Sequence, residues 1–262
     1  MRTELLRLDL RLRRRMLVGT AVGAGAYLAL VVAMYPAFRR DSAINELIEA
    51  NPASAAAFGV SGSLTSPSGW LSGNMYANLG PLLALLLTIG YGAAAIAGQH
   101  TDGTLGVMAT LPISRNRIVV QKACALVVVA LLVPLASLAA CLLGPHFELT
   151  PDWDALLGLT LALALLAFDF GTVALLVGAL TGSRGAATGA AGSLAAISYL
   201  VSSLVPVVHV FHGVGRLSPF FWAVGDDQIT HGPSALQLAA LIGLGASLVT
   251  ATIPAFRRLD IP

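Results

Sequence analysis

RRRMLVGTAVGAGAYLALVVAMYP, residues 13–36, decides how the rest of the chain is read. Three arginines are followed by an uncharged run from Met16 to Pro36, long enough to cross a hydrocarbon core of ~30 Å as a helix. A basic stretch before an apolar run also opens a signal peptide. Here the run is 21 residues long and more such runs follow, so an uncleaved first span is expected. The whole chain agrees: of 262 residues, 56% are hydrophobic and 11% charged, and the mean hydropathy is +0.82. These values lie outside the balance of a water-soluble domain and fit one membrane domain, residues 1–262, all-α in class.

Working outward, apolar runs recur at about Leu79–Gly98, Ile118–Gly144, Ala155–Gly182, from the Ser183–Arg184 turn to near Phe211, and Ala235–Phe256. Six spans place both termini on one side. With that side cytoplasmic, the inner segments hold Arg2, Arg7, Arg11, Arg13, Arg14, Arg15, Arg115, Arg117, Lys122, Arg184, Arg257 and Arg258, and only Arg39, Arg40 and Arg216 lie outside. This is the asymmetry the positive-inside rule requires, and an odd number of spans would spoil it. The polar stretches become an interfacial segment at 1–15, a first outer loop at 37–78, a cytoplasmic connection at 99–117 and a last outer loop at 212–234. The net charge of +2 is a topology signal and gives no reason to expect nucleic acid.

Leu6 to Arg13 alternates leucine and charge with a period near two, which does not by itself indicate a helix. Beside a membrane an unpaired strand would leave backbone groups unsatisfied, so an interfacial helix with arginines at lipid head groups is expected. In the first outer loop, Ile44, Leu47 and Ile48 behind Asp41 and Ser42 predict a short amphipathic helix. Gly59 to Gly73 reads as turns, with Trp70 as an anchor at the outer interface. Gly19/Gly23, Gly178/Gly182 and Gly185/Gly189 have the spacing that lets helices approach closely. Cys124 and Cys141 fall on one helix roughly 25 Å apart, too far for a disulfide.

Few residues invite chemistry. Asp169, within Phe168-Asp169-Phe170, is the one ionisable residue expected deep inside a span. A charge there costs ~2.5–3.5 kcal/mol on insertion scales, so it should face a cavity or a partner. It reads either as a proton or cation site or as a hydrogen-bonded group holding helices together. His209 and His212 could hold a metal by spacing, but no acidic or cysteine ligand lies near, and no metal is expected. H-E-x-x-H, G-x-S-x-G and the dinucleotide fingerprint are all missing. A Walker A loop needs Gly-Lys, and the one lysine, Lys122, follows Gln121. The chain is expected to be no enzyme and to bind no cofactor itself.

The connection QHTDGTLGVMATLPISR, residues 99–115, is more informative. Leu105, Met108 and Leu111 are spaced as one helical face, and Pro112 with Ser114 supplies a break and a fresh N-cap. A plain linker needs no such stripe, so a surface that docks another protein is expected. The run DGTLGVMATLPISRNRIVVQK after IAGQ resembles the inner segment of type-2 ABC exporter permeases, membrane subunits driven by separate ATPase chains. The loop LSPFFWAVGDDQITHG, the closing FRRLDIP and the large first outer loop resemble the same family. Where that family has a glutamate-rich stretch, this chain has Gln99, His100 and Thr101, and Asp102 is the sole acid.

The resemblance implies a coupling helix over about Thr101 to Leu111, with Thr101, Asp102, Gly103, Thr104, Leu105, Met108, Leu111, Pro112, Ser114 and Arg115 as the ATPase-coupling residues. It implies two copies of an ABC ATPase that carry ATP and Mg, a second permease chain forming a homo- or heterodimer, and surrounding lipid. Faces of spans one, two and five would line the path between the two permeases. The expected function is export of an amphipathic or hydrophobic compound, a drug, antibiotic or lipid, across a bacterial plasma membrane. A proton-coupled secondary transporter using Asp169 is the alternative, and a membrane-embedded enzyme or purely structural protein a third.

Overall fold

Long apolar runs without water must satisfy their backbone groups internally, and helices do so within each run. The computed structural model describes residues 4–39, 65–103, 114–204, 215–225 and 228–259, and no strand occurs among them. The amphipathic helix expected at Asp41–Ala50 and the two histidines, His209 and His212, lie outside the described residues.

Helix α1 runs from Glu4 to Phe38, 35 residues without a break, or ~52 Å at 1.5 Å per residue. The segment expected as a separate interfacial helix is therefore continuous with the first span and forms roughly the first three turns of α1. Leucine and arginine are good helix formers, and nothing between Glu4 and Pro36 interrupts the ladder. Among the described residues, five stretches are long and apolar enough to cross a membrane: Arg11–Phe38, Pro67–Thr101, Arg115–Cys141, Trp153–Thr181 and Ala235–Arg258. The remaining expected span, the fifth in chain order, corresponds to a helix over Arg184–Leu204. Glycine, serine and threonine make it less apolar than the others.

The second span begins twelve residues earlier than expected. Ser66 and Pro67, read as turn residues, start a helix instead: the Ser66 hydroxyl accepts from the Gly69 amide at 3.1 Å, and proline suits the first helical position. Helix α2 (Pro67–Leu71) continues through a π-helical turn (Ser72–Tyr76) into α3 (Leu79–Ala93). A second π-helical turn (Ala94–Gly98) and a closing α-turn (Gln99–Thr101) complete it. Trp70 is no free interfacial anchor. It is buried, its Nε1 donates to the Val31 carbonyl of α1 at 3.0 Å, and its ring lies 5.1 Å from that of Phe38.

Helix α4 (Arg115–Cys141) carries both cysteines, unpaired as expected. Helix α5 (Trp153–Thr181) starts at Asp152, whose carboxylate accepts from the Asp154 and Ala155 amides, and ends at Gly182 with φ +64°. It is followed by α6 (Arg184–Leu204), two short helices α7 (Pro219–Val224) and α8 (Gln228–His231), and α9 (Ala235–Arg258). A capping box at Ser234 and Gln237 opens α9.

Helix α5 is the centre of the bundle, with α3, α4, α6 and α9 packed against it, while α1 lies on α4. Two glycines set the tightest crossing. A Cβ at Gly92 of α3 would lie 2.1 Å from the Gly171 carbonyl oxygen of α5, so only hydrogen fits there. Of the three small-residue pairs, Gly178/Gly182 packs within the chain, Gly178 against Ala97 and Ala187. Gly19, Gly23 and Gly189 have no neighbour within 4 Å of an added Cβ. At the end of the bundle away from the arginine-rich N-terminus, Arg39 pairs with Glu148. There Tyr199 Oη donates to Asn78 Oδ1 at 2.8 Å, and the Ser198 and Ser218 hydroxyls are 2.8 Å apart.

Candidate functional site

Residues 99–117 contain the connection between the second span and α4, and its two flanks are described on either side of residues 104–113. Thr101, Asp102 and Gly103 are all exposed. The Thr101 hydroxyl donates to the Ala97 carbonyl at 2.6 Å, and the Asp102 amide donates to the Gly98 carbonyl at 2.9 Å. Gly103, with φ +70°, ends the helix in the left-handed conformation that glycine adopts without strain. Thr104, Leu105, Met108, Leu111 and Pro112 lie outside the described residues. The chain returns at Ser114, exposed and extended as the N-cap residue of α4, though its side chain makes no capping bond.

Arg115 faces inward to the chain. Its Nη1 donates to the carbonyls of Phe256, Arg257 and Leu259 at 3.3, 2.9 and 3.2 Å. These are the unpaired acceptors at the C-terminal end of α9, where a cation also complements the helix dipole. Arg257 Nε answers by donating to Asn116 Oδ1 at 3.0 Å. Alongside, a Cβ at Gly182 would come within 3.3 Å of His100 Nδ1 and 3.4 Å of Leu259. The ends of α3, α5 and α9 thus meet the start of α4.

Beneath this rim lies a buried polar cluster. Asp9 of α1 is 4% exposed and Lys122 of α4 is 2% exposed. Lys122 Nζ donates to Asp9 Oδ2 at 2.8 Å. Tyr91 Oη of α3 donates to the same oxygen at 2.7 Å, and Gln99 Nε2 donates to Oδ1 at 3.4 Å. The Arg13 guanidinium stands 4.9 Å from the Tyr91 ring centroid, a cation–π contact. Two opposite charges removed from water need such geometry, because desolvation otherwise outweighs their attraction.

Asp169 is therefore not the one ionisable side chain buried in a span; Lys122 is another, drawn in by a carboxylate 113 positions away in sequence. A lone lysine inside the run IVVQKACALVVV was the signal available. Its partner was not legible, since Asp9 sits among arginines with the spacing of a head-group-facing stretch. Asp169 itself is 1% exposed, and neither carboxylate oxygen has a hydrogen-bond partner among the described residues. It faces α9 at Gly245, where a Cβ would lie 2.5 Å from Oδ1. No group of three metal-ligating side chains occurs among the described residues.

Residues 4–215 match the family model described as ABC-2 family transporter protein. No curated protein matches the chain.

Proposed function

The chain belongs to the ABC-2 transporter family, and from that premise we propose that it is the permease subunit of an ATP-driven exporter, powered by a separate ATPase chain. One observation carries the reading. The connection between the second span and α4 is exposed at its two flanks, Thr101–Gly103 and Ser114, and the adjoining helix ends are tied to α9 through Arg115 and to α1 through Asp9. Helix ends joined in this way pass a force applied to the connection from outside the membrane to several helices. The apolar stripe Leu105, Met108 and Leu111 lies between these flanks in sequence and supplies the docking face for the ATPase on the cytoplasmic side. The concentration of arginines at this end of the chain agrees with that side. Nucleotide binding in the ATPase would move this connection and change access between permease subunits. The cargo of this reading is an amphipathic or hydrophobic compound, the class for which apolar helix faces are a suitable path.

Purification of the intact chain from detergent extracts tests this, with a Walker-A-containing ATPase expected to accompany it. Leu111→Asp should lower ATPase recovery about tenfold, the equivalent of one docking residue worth roughly 1.4 kcal/mol, with the chain still inserted. Absence of an ATPase from the unaltered preparation would overturn the proposal. The buried Asp169 carboxyl, which has no hydrogen-bond partner among the described residues, favours a second reading, proton-coupled transport, which predicts that transport follows the proton gradient and continues without ATP.

A further inference from the structure

One carboxylate gathers side chains from both ends of the α3–α4 connection. Tyr91 and Gln99 stand near the end of α3, and Lys122 stands two turns into α4; all three bond to Asp9 of α1. The π-helical turn at Ala94–Gly98 makes this convergence geometrically available. In an unbroken α-helix, eight residues at about 100° each would leave Gln99 about 80° round from Tyr91. A π-turn takes up one extra residue, which brings the two donors back to within roughly 20° of one face. Arg13, one turn further along α1, closes over the Tyr91 ring.

Helix α1 lies at the margin of the bundle, with Val18, Val22, Leu30 and Met34 exposed, and it packs inward chiefly on α4 through apolar side chains such as Leu17, Leu28 and Val32, while Trp70 and Glu148 hold its far end. Apolar contacts with α4 could slide by a turn. An ion pair cannot, because any slip leaves two desolvated charges unpaired, and polar pairs of this kind fix register between helices. We infer that Asp9, Lys122, Tyr91 and Gln99 form a clasp that makes α1 move with the two helix ends flanking residues 102–114. The inference rests on the reading that this connection docks an ATPase. The four are positioning residues: they touch no cargo and act through the helices they join.

The test uses the full complex of chain and ATPase in lipid nanodiscs, with the exposed Cys124 replaced by alanine. A nitroxide is placed at Val22→Cys on α1 or at Val120→Cys on α4, both exposed positions. ATP, Mg2+ and vanadate are expected to change the spectrum of both labels in the otherwise unaltered complex. Lys122→Gln should cut the response at position 22 by about fivefold or more, within the usual range of coupling between sites, while the response at position 120 persists. Tyr91→Phe, which keeps the ion pair and removes one donor, should give a smaller loss at position 22 alone; it decides the matter should Lys122→Gln fail to insert. Retention of both responses would overturn the clasp, as would loss of both together, since a merely structural pair would affect the two labels alike. A complex without clasp substitutions that lacks the ATPase, or shows no response at position 120, would overturn the docking reading and the clasp with it. That failure is visible before any clasp residue is changed.

Discussion

Gly92→Ala adds one methyl group where α3 crosses α5, and its cost can be worked from the geometry. The new Cβ would sit 2.1 Å from the Gly171 carbonyl oxygen and 3.2 Å from the Ala174 Cβ. A carbon–oxygen contact settles near ~3.3 Å, so the helices must part by roughly 1.2 Å. The obstacle is backbone, so no rotamer change relieves it. A gap of that size forfeits a quarter to a half or more of the attraction between facing atoms along the seam. Overpacking of this kind costs about 1–3 kcal/mol. Gly19→Ala and Gly23→Ala are internal controls, since nothing lies within 4 Å of either added Cβ. Helix propensity alone would make them neutral or stabilising by up to ~1 kcal/mol. Unfolding in mixed detergent and dodecyl sulfate micelles, followed by far-ultraviolet circular dichroism, measures all three. Equal midpoints for Gly92→Ala and Gly19→Ala would refute the claim that backbone contact between α3 and α5 sets the crossing.

Arg115→Ala removes three hydrogen bonds to the end of α9 and should fray its last turn, seen as faster amide exchange at Phe256–Leu259 with little change elsewhere. The thermal midpoint should fall by an amount equivalent to about 1–2 kcal/mol, because the site is half open to water. Asp169→Asn keeps the shape of a side chain that has no described partner, so insertion, thermal midpoint and ATP hydrolysis by the complex should stay close to those of the unaltered chain. A transport loss that varies with pH would instead point to proton coupling.

Residue type and order were enough to read an all-α membrane protein, because a run of about twenty apolar residues has few other ways to satisfy its backbone. The connection at 99–117 was legible for a similar reason: Gly103 and the Pro112–Ser114 break punctuate the chain locally. The start of the second span was not. Ser66–Pro67 is a turn signal and a helix-start signal alike, and packing of Trp70 on α1 selects the second. The arginines of α1 pointed to the membrane surface, yet Asp9 among them turns inward.

By itself the sequence determined that the chain is a set of long apolar helices, the basic character of one end, and the place where the helical run breaks between the second and third of them. These depend on neighbours a few residues apart, where hydrophobicity, charge and helix breakers act directly. Tertiary structure alone decided that Asp9 meets Lys122, Tyr91 and Gln99, that Arg115 turns to α9, and that Asp169 faces Gly245 with no hydrogen-bond partner among the described residues. Each of these depends on how helices remote in sequence are rotated and crossed. That rotation is set by close-packed contacts such as Gly92 on Gly171, which no local pattern encodes.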